Sequence, residues 1–147
     1  MSEMSNPSQS NSGDELDSTR SFSADLIAED QLALSDEDQA AVDALPSGNA
    51  LLIVRRGPNK GSRFLLDQNR ITVGRRPNAD IFLDDVTVSR RHAEISRSNS
   101  AFTIKDLASL NGTYYEGARV DSQALVNLAE LQVGKYHFTF YASKKDS

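Results

Sequence analysis

The chain has 147 residues, with 16 basic and 21 acidic side chains and a formal net charge of −5. It has no Cys and two His, His92 and His137, which excludes disulfides, thiolate-held zinc and a thiol nucleophile and leaves no His cluster to hold a metal. No apolar run approaches the ~20 residues a membrane-spanning helix needs; residues 1–12 carry neither a base nor an apolar stretch, so no signal peptide is expected and the chain reads as cytoplasmic.

The charge is unevenly spread. Residues 1–45 carry eleven acids against the single base Arg20, a net of −10, whereas residues 46–147 carry ten acids and fifteen bases, a net of +5. Of the ten aromatic residues, only Phe22 precedes Phe64. An acidic, Ser-rich stretch without large apolar side chains cannot bury enough surface to offset its chain entropy. Residues 1–47 are therefore expected to be a disordered tail, residues 48–143 the folded domain and residues 144–147 a short C-terminal tail. Two local features stand out in the tail. Ser18-Thr19-Arg20-Ser21-Phe22 sets a lone aromatic among hydroxyl residues, as in a short linear motif. Ser35-Asp36-Glu37-Asp38, followed by an Ala-rich run and Pro46, reads as a capped helix of about ten residues, too short to be stable without packing partners.

After residue 48 the pattern is all-β. Apolar or alternating runs fall at Ala50–Val54, Arg63–Leu66, Ile71–Val73, Ile81–Phe82, Ala93–Ser96, Ala101–Asp106, Thr113–Tyr115, Ala124–Leu125, Leu131–Val133 and Tyr136–Tyr141. Turn formers separate them: Gly57-Pro58-Asn59-Lys60-Gly61, Pro77-Asn78-Ala79-Asp80, Asn111-Gly112 and Glu116-Gly117. About ten or eleven short strands in this length predict a β-sandwich.

Three polar clusters border these strands: Gly74-Arg75-Arg76, Ser89-Arg90-Arg91-His92 and Ser109-Leu110-Asn111-Gly112-Thr113. They supply guanidinium forks, a hydroxyl, amide side chains and loop N–H groups, the donors that a phosphate's oxygens require. The ordered set Gly74-Arg75, Ser89-x-x-His92 and Asn111-Gly112 resembles the forkhead-associated (FHA) domains, β-sandwiches that bind phosphothreonine peptides. The resemblance covers residues 50–141. It implies that Arg75 and Ser89 bond the phosphate, that Arg90 lines the peptide surface, and that Asn111 bonds the peptide backbone. It also implies that Leu110 lines the space for the threonine methyl, and that Gly74, His92 and Gly112 hold the site together.

A narrower resemblance joins Arg56-Gly57-Pro58-Asn59, Phe64-Leu65-Leu66-Asp67-Gln68, Asp80–Glu94 and Ser109–Tyr114 to an actinobacterial family of single-FHA regulators of 2-oxoglutarate dehydrogenase. Its members carry an acidic tail with a kinase-modified Thr-Thr motif, matched here by Asp17–Leu26. The family implies that the unphosphorylated domain binds and inhibits the E1-type subunit of that enzyme, with glutamate dehydrogenase or glutamate synthase as further candidates. A Ser/Thr kinase then modifies the tail, which binds its own domain and releases the enzyme. Ser18 replaces the first Thr and lacks the γ-methyl, so its phosphorylation should anchor more weakly. Thr19 keeps the second, and Phe22 falls three residues beyond it as a tail recognition residue. No cofactor, metal, nucleic acid or membrane is implied, and a monomer is expected.

Competing readings are weaker. Arg55-Arg56, Arg75-Arg76 and Arg90-Arg91 could form a nucleic-acid patch, but no array of stacking aromatics accompanies them. A Ser89/His92/Asp106 triad lacks a nucleophile elbow, and the chain is not expected to be an enzyme. Asp84-Asp85 is expected to face solvent or pair with Arg rather than bind a cation. Asn111-Gly112 alone would be an ordinary tight turn. Two functions remain: a phosphorylation-switched inhibitor of metabolic enzymes, and an adaptor that docks kinases or other phosphoproteins in trans.

Overall fold

The computed structural model describes residues 34–145. Ser18, Thr19 and Phe22 lie outside the described residues. One helix, α1 (Asp36–Asp43), precedes eleven strands among the described residues: β1 (Ala50–Arg56), β2 (Arg63–Leu66), β3 (Arg70–Gly74), β4 (Ile81–Phe82), β5 (Ala93–Ser98), β6 (Ala101–Asp106), β7 (Thr113–Tyr115), β8 (Ala118–Val120), β9 (Ser122–Ala124), β10 (Glu130–Val133) and β11 (Tyr136–Ala142). They form two sheets. The five-stranded sheet has the order β9-β6-β5-β3-β4 and the six-stranded sheet β2-β1-β11-β10-β7-β8. All pairings are antiparallel except β3 with β4. Among the described residues no helix is long and apolar enough to cross a membrane.

The core lies between the sheets and follows the period-2 rule for strand side chains. On β11, Tyr136, Phe138 and Phe140 point inward while His137 and Thr139 are only partly buried. Phe140 meets Phe102 edge-on at 5.6 Å, and Tyr136 stacks on Phe138 at 6.1 Å, geometries that aromatic quadrupoles favour. The strand absent from the sequence reading is β8. It is three residues long, has no buried residue and so gives no hydrophobic alternation. A two-residue turn with positive φ at Glu116 (50°) and Gly117 (83°) folds it back on β7.

β1 breaks the alternation because both its faces are covered. Ala50, Leu52 and Val54 face the main core, while Leu51 and Ile53 are buried on the outer side of the six-stranded sheet. Helix α1 lies over that outer side. Arg63, opposite Ile53 in the ladder, reaches the Asp38 carboxylate at 3.4 Å and the Glu37 carbonyl at 3.3 Å. Val42 and Leu45 are 3% and 4% exposed, and Tyr141 is buried on β11. At the far end Lys144 Nζ reaches Asp43 at 3.3 Å, and the Ser143 hydroxyl donates to the Leu45 carbonyl at 2.9 Å.

Residues 36–47 therefore pack with the sandwich. This differs from the expected boundary at residue 48. A short helix is unstable alone, but burying two aliphatic side chains contributes roughly 1.5–3 kcal/mol each, enough to hold it once a sheet face is present.

Candidate functional site

The β3–β4, β4–β5 and β6–β7 connections meet at one end of the sandwich. The first is pinned at both ends: the Asp80 carboxylate accepts from the Thr72 N–H and hydroxyl, and the Asp80 N–H donates to Thr72 Oγ1. Between these anchors sit Arg75 and Arg76. Gly74 lets the second connection approach. A Cβ at Gly74 would overlap the Arg90 carbonyl oxygen, so only Gly allows the Arg75 N–H to donate to the Ser89 carbonyl at 3.1 Å.

His92 joins the second and third connections. It is fully buried, and its ring bridges two backbone groups. The Ser89 N–H donates to Nδ1 at 3.0 Å, which makes Nδ1 an acceptor and places the proton on Nε2, 2.9 Å from the Gly112 carbonyl. The Ser89 bond requires the neutral imidazole, since a protonated Nδ1 cannot accept, whereas the Nε2–H bond to Gly112 is open to either form. Burial, partly countered by the Gly112 bond and by Asp106, pushes its pKa below the ordinary value.

Asp106 organises the third connection. Its carboxylate accepts from the Ser109 hydroxyl (2.5 Å), the Ser109 N–H (3.1 Å) and the Thr113 hydroxyl (2.7 Å), while Ser109 Oγ accepts the Gly112 N–H at 2.9 Å. Burial raises the Asp106 pKa, but these donors together outweigh it and hold the carboxyl below its usual value. Thr87 secures the other flank. Its carbonyl accepts from Asn111 Nδ2 at 2.9 Å, and its hydroxyl accepts the Lys135 N–H at 3.0 Å while donating to Asp85.

These bonds bring the expected residues together. Ser89 Oγ accepts the Leu110 N–H at 2.9 Å, and no acceptor for its own proton is found among the described residues, so that proton can be given to a ligand. Arg75, Arg76 and Arg90 line one cleft of about 560 Å³ with Pro77, Asn78 and Asp84. Asn111 lines a second, of about 260 Å³, with Thr87, Tyr114, Gln132, Gly134 and Lys135. Among the described residues no carboxylate lies within ion-pair distance of Arg75, Arg76, Arg90 or Arg91. Leu110 meets the site through its backbone: its side chain is 83% exposed and lines neither cleft.

Asn111-Gly112 is not a hairpin turn but part of a crossing from one sheet to the other. Asp84 is exposed on the rim of the arginine cleft, and Asp85 is engaged by Thr87. A catalytic relay is not formed, since Ser89 meets His92 through its backbone N–H, and Asp106 bonds Ser109 and Thr113.

The sequence reading did not assign structural roles to Thr87 or Asp106. For Asp106 a signal was present: an acid three residues before a Ser, the spacing with which side chains close local turns. For Thr87 the spacing Asp85-x-Thr87 signals only the local bond to Asp85; its bonds to Asn111 and Lys135, remote in sequence, left no signal.

The profile of a family described as the inner membrane component of T3SS, cytoplasmic domain, matches residues 53–144. An oxoglutarate dehydrogenase inhibitor of Corynebacterium jeikeium is 47% identical over 133 residues, covering 90% of this chain and 92% of its own. The glycogen accumulation regulator GarA of Mycobacterium tuberculosis is 50% identical over 133 residues, covering 88% and 82%. The chain belongs to this family of oxoglutarate dehydrogenase inhibitors and glycogen accumulation regulators. A solved domain from a study of phosphothreonine-dependent FHA interactions aligns with TM-score 0.61 and 26% identity, over 66% of this chain and 99% of its own. The family's fold is thus the FHA sandwich, and the names of these relatives are those of regulators rather than of catalysts.

Proposed function

We propose that this chain is a phosphothreonine-switched regulator of central metabolism. In its unphosphorylated form it binds and inhibits 2-oxoglutarate dehydrogenase through the E1-type subunit, and glutamate dehydrogenase or glutamate synthase are candidates for the same control. A Ser/Thr kinase phosphorylates Thr19, and the phosphorylated tail then occupies the loop end of its own domain and displaces the enzyme.

The carrying observation is the set of donors gathered at the loop end. Arg75 and Arg90 share a cleft, and the Ser89 hydroxyl stands beside Arg90 in the chain with its proton uncommitted among the described residues. A phosphate brings about two negative charges and three acceptor oxygens, which complement those donors. In this reading Asn111, on the other flank, bonds the extended peptide, and Phe22, three residues after Thr19 in the sequence, is the tail residue read beyond the phosphate. The names of the relatives support 2-oxoglutarate dehydrogenase as the target.

Chain length is compatible with closure. Residues 20–35 separate Thr19 from α1, a contour of about 55 Å at full extension, against about 35 Å for the width of a domain of this size. A tether this short gives an effective concentration of order millimolar. A phosphopeptide of micromolar affinity would then be bound in very roughly a hundred to a thousand molecules for each one open.

The test is a pull-down of 2-oxoglutarate dehydrogenase with the unphosphorylated and Thr19-phosphorylated chains, run beside Ser89→Ala. Capture by the first and loss by the second is expected. Ser89→Ala removes a bond to a charged oxyanion, so titration with a Thr19 phosphopeptide should show about ten- to a hundredfold weaker binding. Equal capture by both chains would refute the switch, and unchanged peptide affinity would refute the site.

A further inference from the structure

The two clefts flank Ser89 unequally. The one that holds Arg90 carries three guanidiniums and the single carboxylate of Asp84, and it continues past Arg75 to Arg76 and Asn78. The one that holds Thr87 carries Lys135 as its only charge, among Tyr114, Asn111 and Gln132. Arg76 and Asn78 line the larger cleft in addition to Arg75 and Arg90, the two residues assigned above to the phosphothreonine. The sequence around Thr19 has a matching asymmetry. Asp14, Glu15 and Asp17 precede it with no base among them, whereas Arg20 and Phe22 follow.

We propose that the larger cleft is a second anion subsite, centred on Arg76, that reads an acidic group one or two residues before the phosphothreonine. Two anions of the tail supply that chemistry: the carboxylate of Asp17 and a phosphate on Ser18. The subsite sets peptide direction, because reversal would place Arg20 on the arginines and the acids beside Tyr114 and Gln132. It also gives Ser18 a function that does not need the missing methyl. A phosphate there is no anchor but adds a second anion beside one. Asp84 on the rim opposes the subsite and limits its strength, leaving Arg76 as the guanidinium that the phosphothreonine itself does not engage.

This inference rests on the reading of the loop end as a phosphothreonine site, and the test separates the two. Synthetic peptides of residues 13–26 are titrated onto the full unphosphorylated chain and onto its Arg76→Ala variant. The peptides carry phospho-Thr19 alone, phospho-Thr19 with Asp17→Asn, or phosphates on both Ser18 and Thr19. On the unaltered chain, Asp17→Asn should weaken binding about threefold, as for an exposed charge pair. The second phosphate should strengthen it about tenfold. Both differences should vanish in Arg76→Ala, while the phospho-Thr19, Asp17→Asn peptide binds both proteins alike. A variant that weakens all three peptides by one factor, or none of them, would overturn the subsite and leave the phosphothreonine site standing. Failure of the phospho-Thr19 peptide to bind the unaltered chain at all would remove both.

Discussion

At the loop end of the sandwich, order comes from polar bonds: Asp80 to Thr72, His92 to Ser89 and Gly112, Asp106 to Ser109 and Thr113. On the outer face of the six-stranded sheet it comes from apolar burial, with Val42 and Leu45 brought by α1 onto the side that holds Leu51, Ile53 and Tyr141. The difference matters for function. Hydrogen bonds are directional and fix where a donor points, as a phosphate site requires. Apolar contact is non-directional and suits an element that has only to stay attached. One chain thus separates the part that must be precise from the part that must hold the tail's root in place.

Substitutions at the two ends of the domain should therefore act differently. The largest effect is expected from Gly74→Ala. The added methyl would collide with the Arg90 backbone rather than a movable side chain, a cost of about 3 kcal/mol. Urea unfolding should show that loss, and phosphopeptide binding should fall with it because the Arg75 and Ser89 loops part. Retained affinity would mean that the loops are placed independently.

Leu45→Ala comes next. Truncating a buried leucine at the edge of the structure should cost about 2 kcal/mol, with phosphopeptide affinity unchanged when measured below the melting transition. A coupled loss of affinity would show that the two ends are not separable.

The smallest effect is in pH. Unfolded His92 takes up a proton near the ordinary imidazole value of 6.5, whereas folded His92 resists it to a lower pH because it is buried. The unfolded state therefore binds more protons in that window. Stability should be intact above about pH 6.5, fall as the pH drops below it, and level off once folded His92 is protonated as well. Urea midpoints taken across that range on the unaltered chain and on His92→Gln would show it, the variant having the flatter slope. Asp106 acts lower down. Its carboxyl is held below the usual 3.8, so its contribution is present above that value and is lost as the pH falls further. Equal slopes for the two proteins would mean that His92 does not set the acid limit.

Much of the fold was legible because most of the domain obeys simple periodicity. Ten of the strands coincide or overlap with apolar runs between turn formers, and the alternation along β11 states which residues face inward. The three polar clusters were legible as strand-bordering loops, and the structure brings those loops to one end of the sandwich. The exceptions have particular causes. β8 has no buried residue to report. The helix α1 was readable as a helix, from its acidic first turn and Pro46, but its docking was not: Val42 and Leu45 are two apolar residues in an acidic stretch, and only the outer face of β1 shows what they meet. The unbroken run Leu51-Leu52-Ile53-Val54 carried that information in part, since a strand apolar at every position is covered on both sides.

Periodicity and composition thus suffice for the sandwich and for the opposite charges of residues 1–45 and 46–147, and they single out Arg75, Ser89 and Asn111 as candidates. The arrangement of these three residues is a property of the folded chain alone. Arg75 to Asn111 spans more than thirty positions in the chain, and local periodicity has no term for contacts at that separation. The bonds that close the distance run from the Arg75 N–H to Ser89, from Leu110 to Ser89, and from Asn111 to Thr87. The last two are solvent-exposed, so it is not burial that selects them: they form because the two packed sheets carry the three loops to one end, where donors and acceptors remote in the chain come within hydrogen-bond reach.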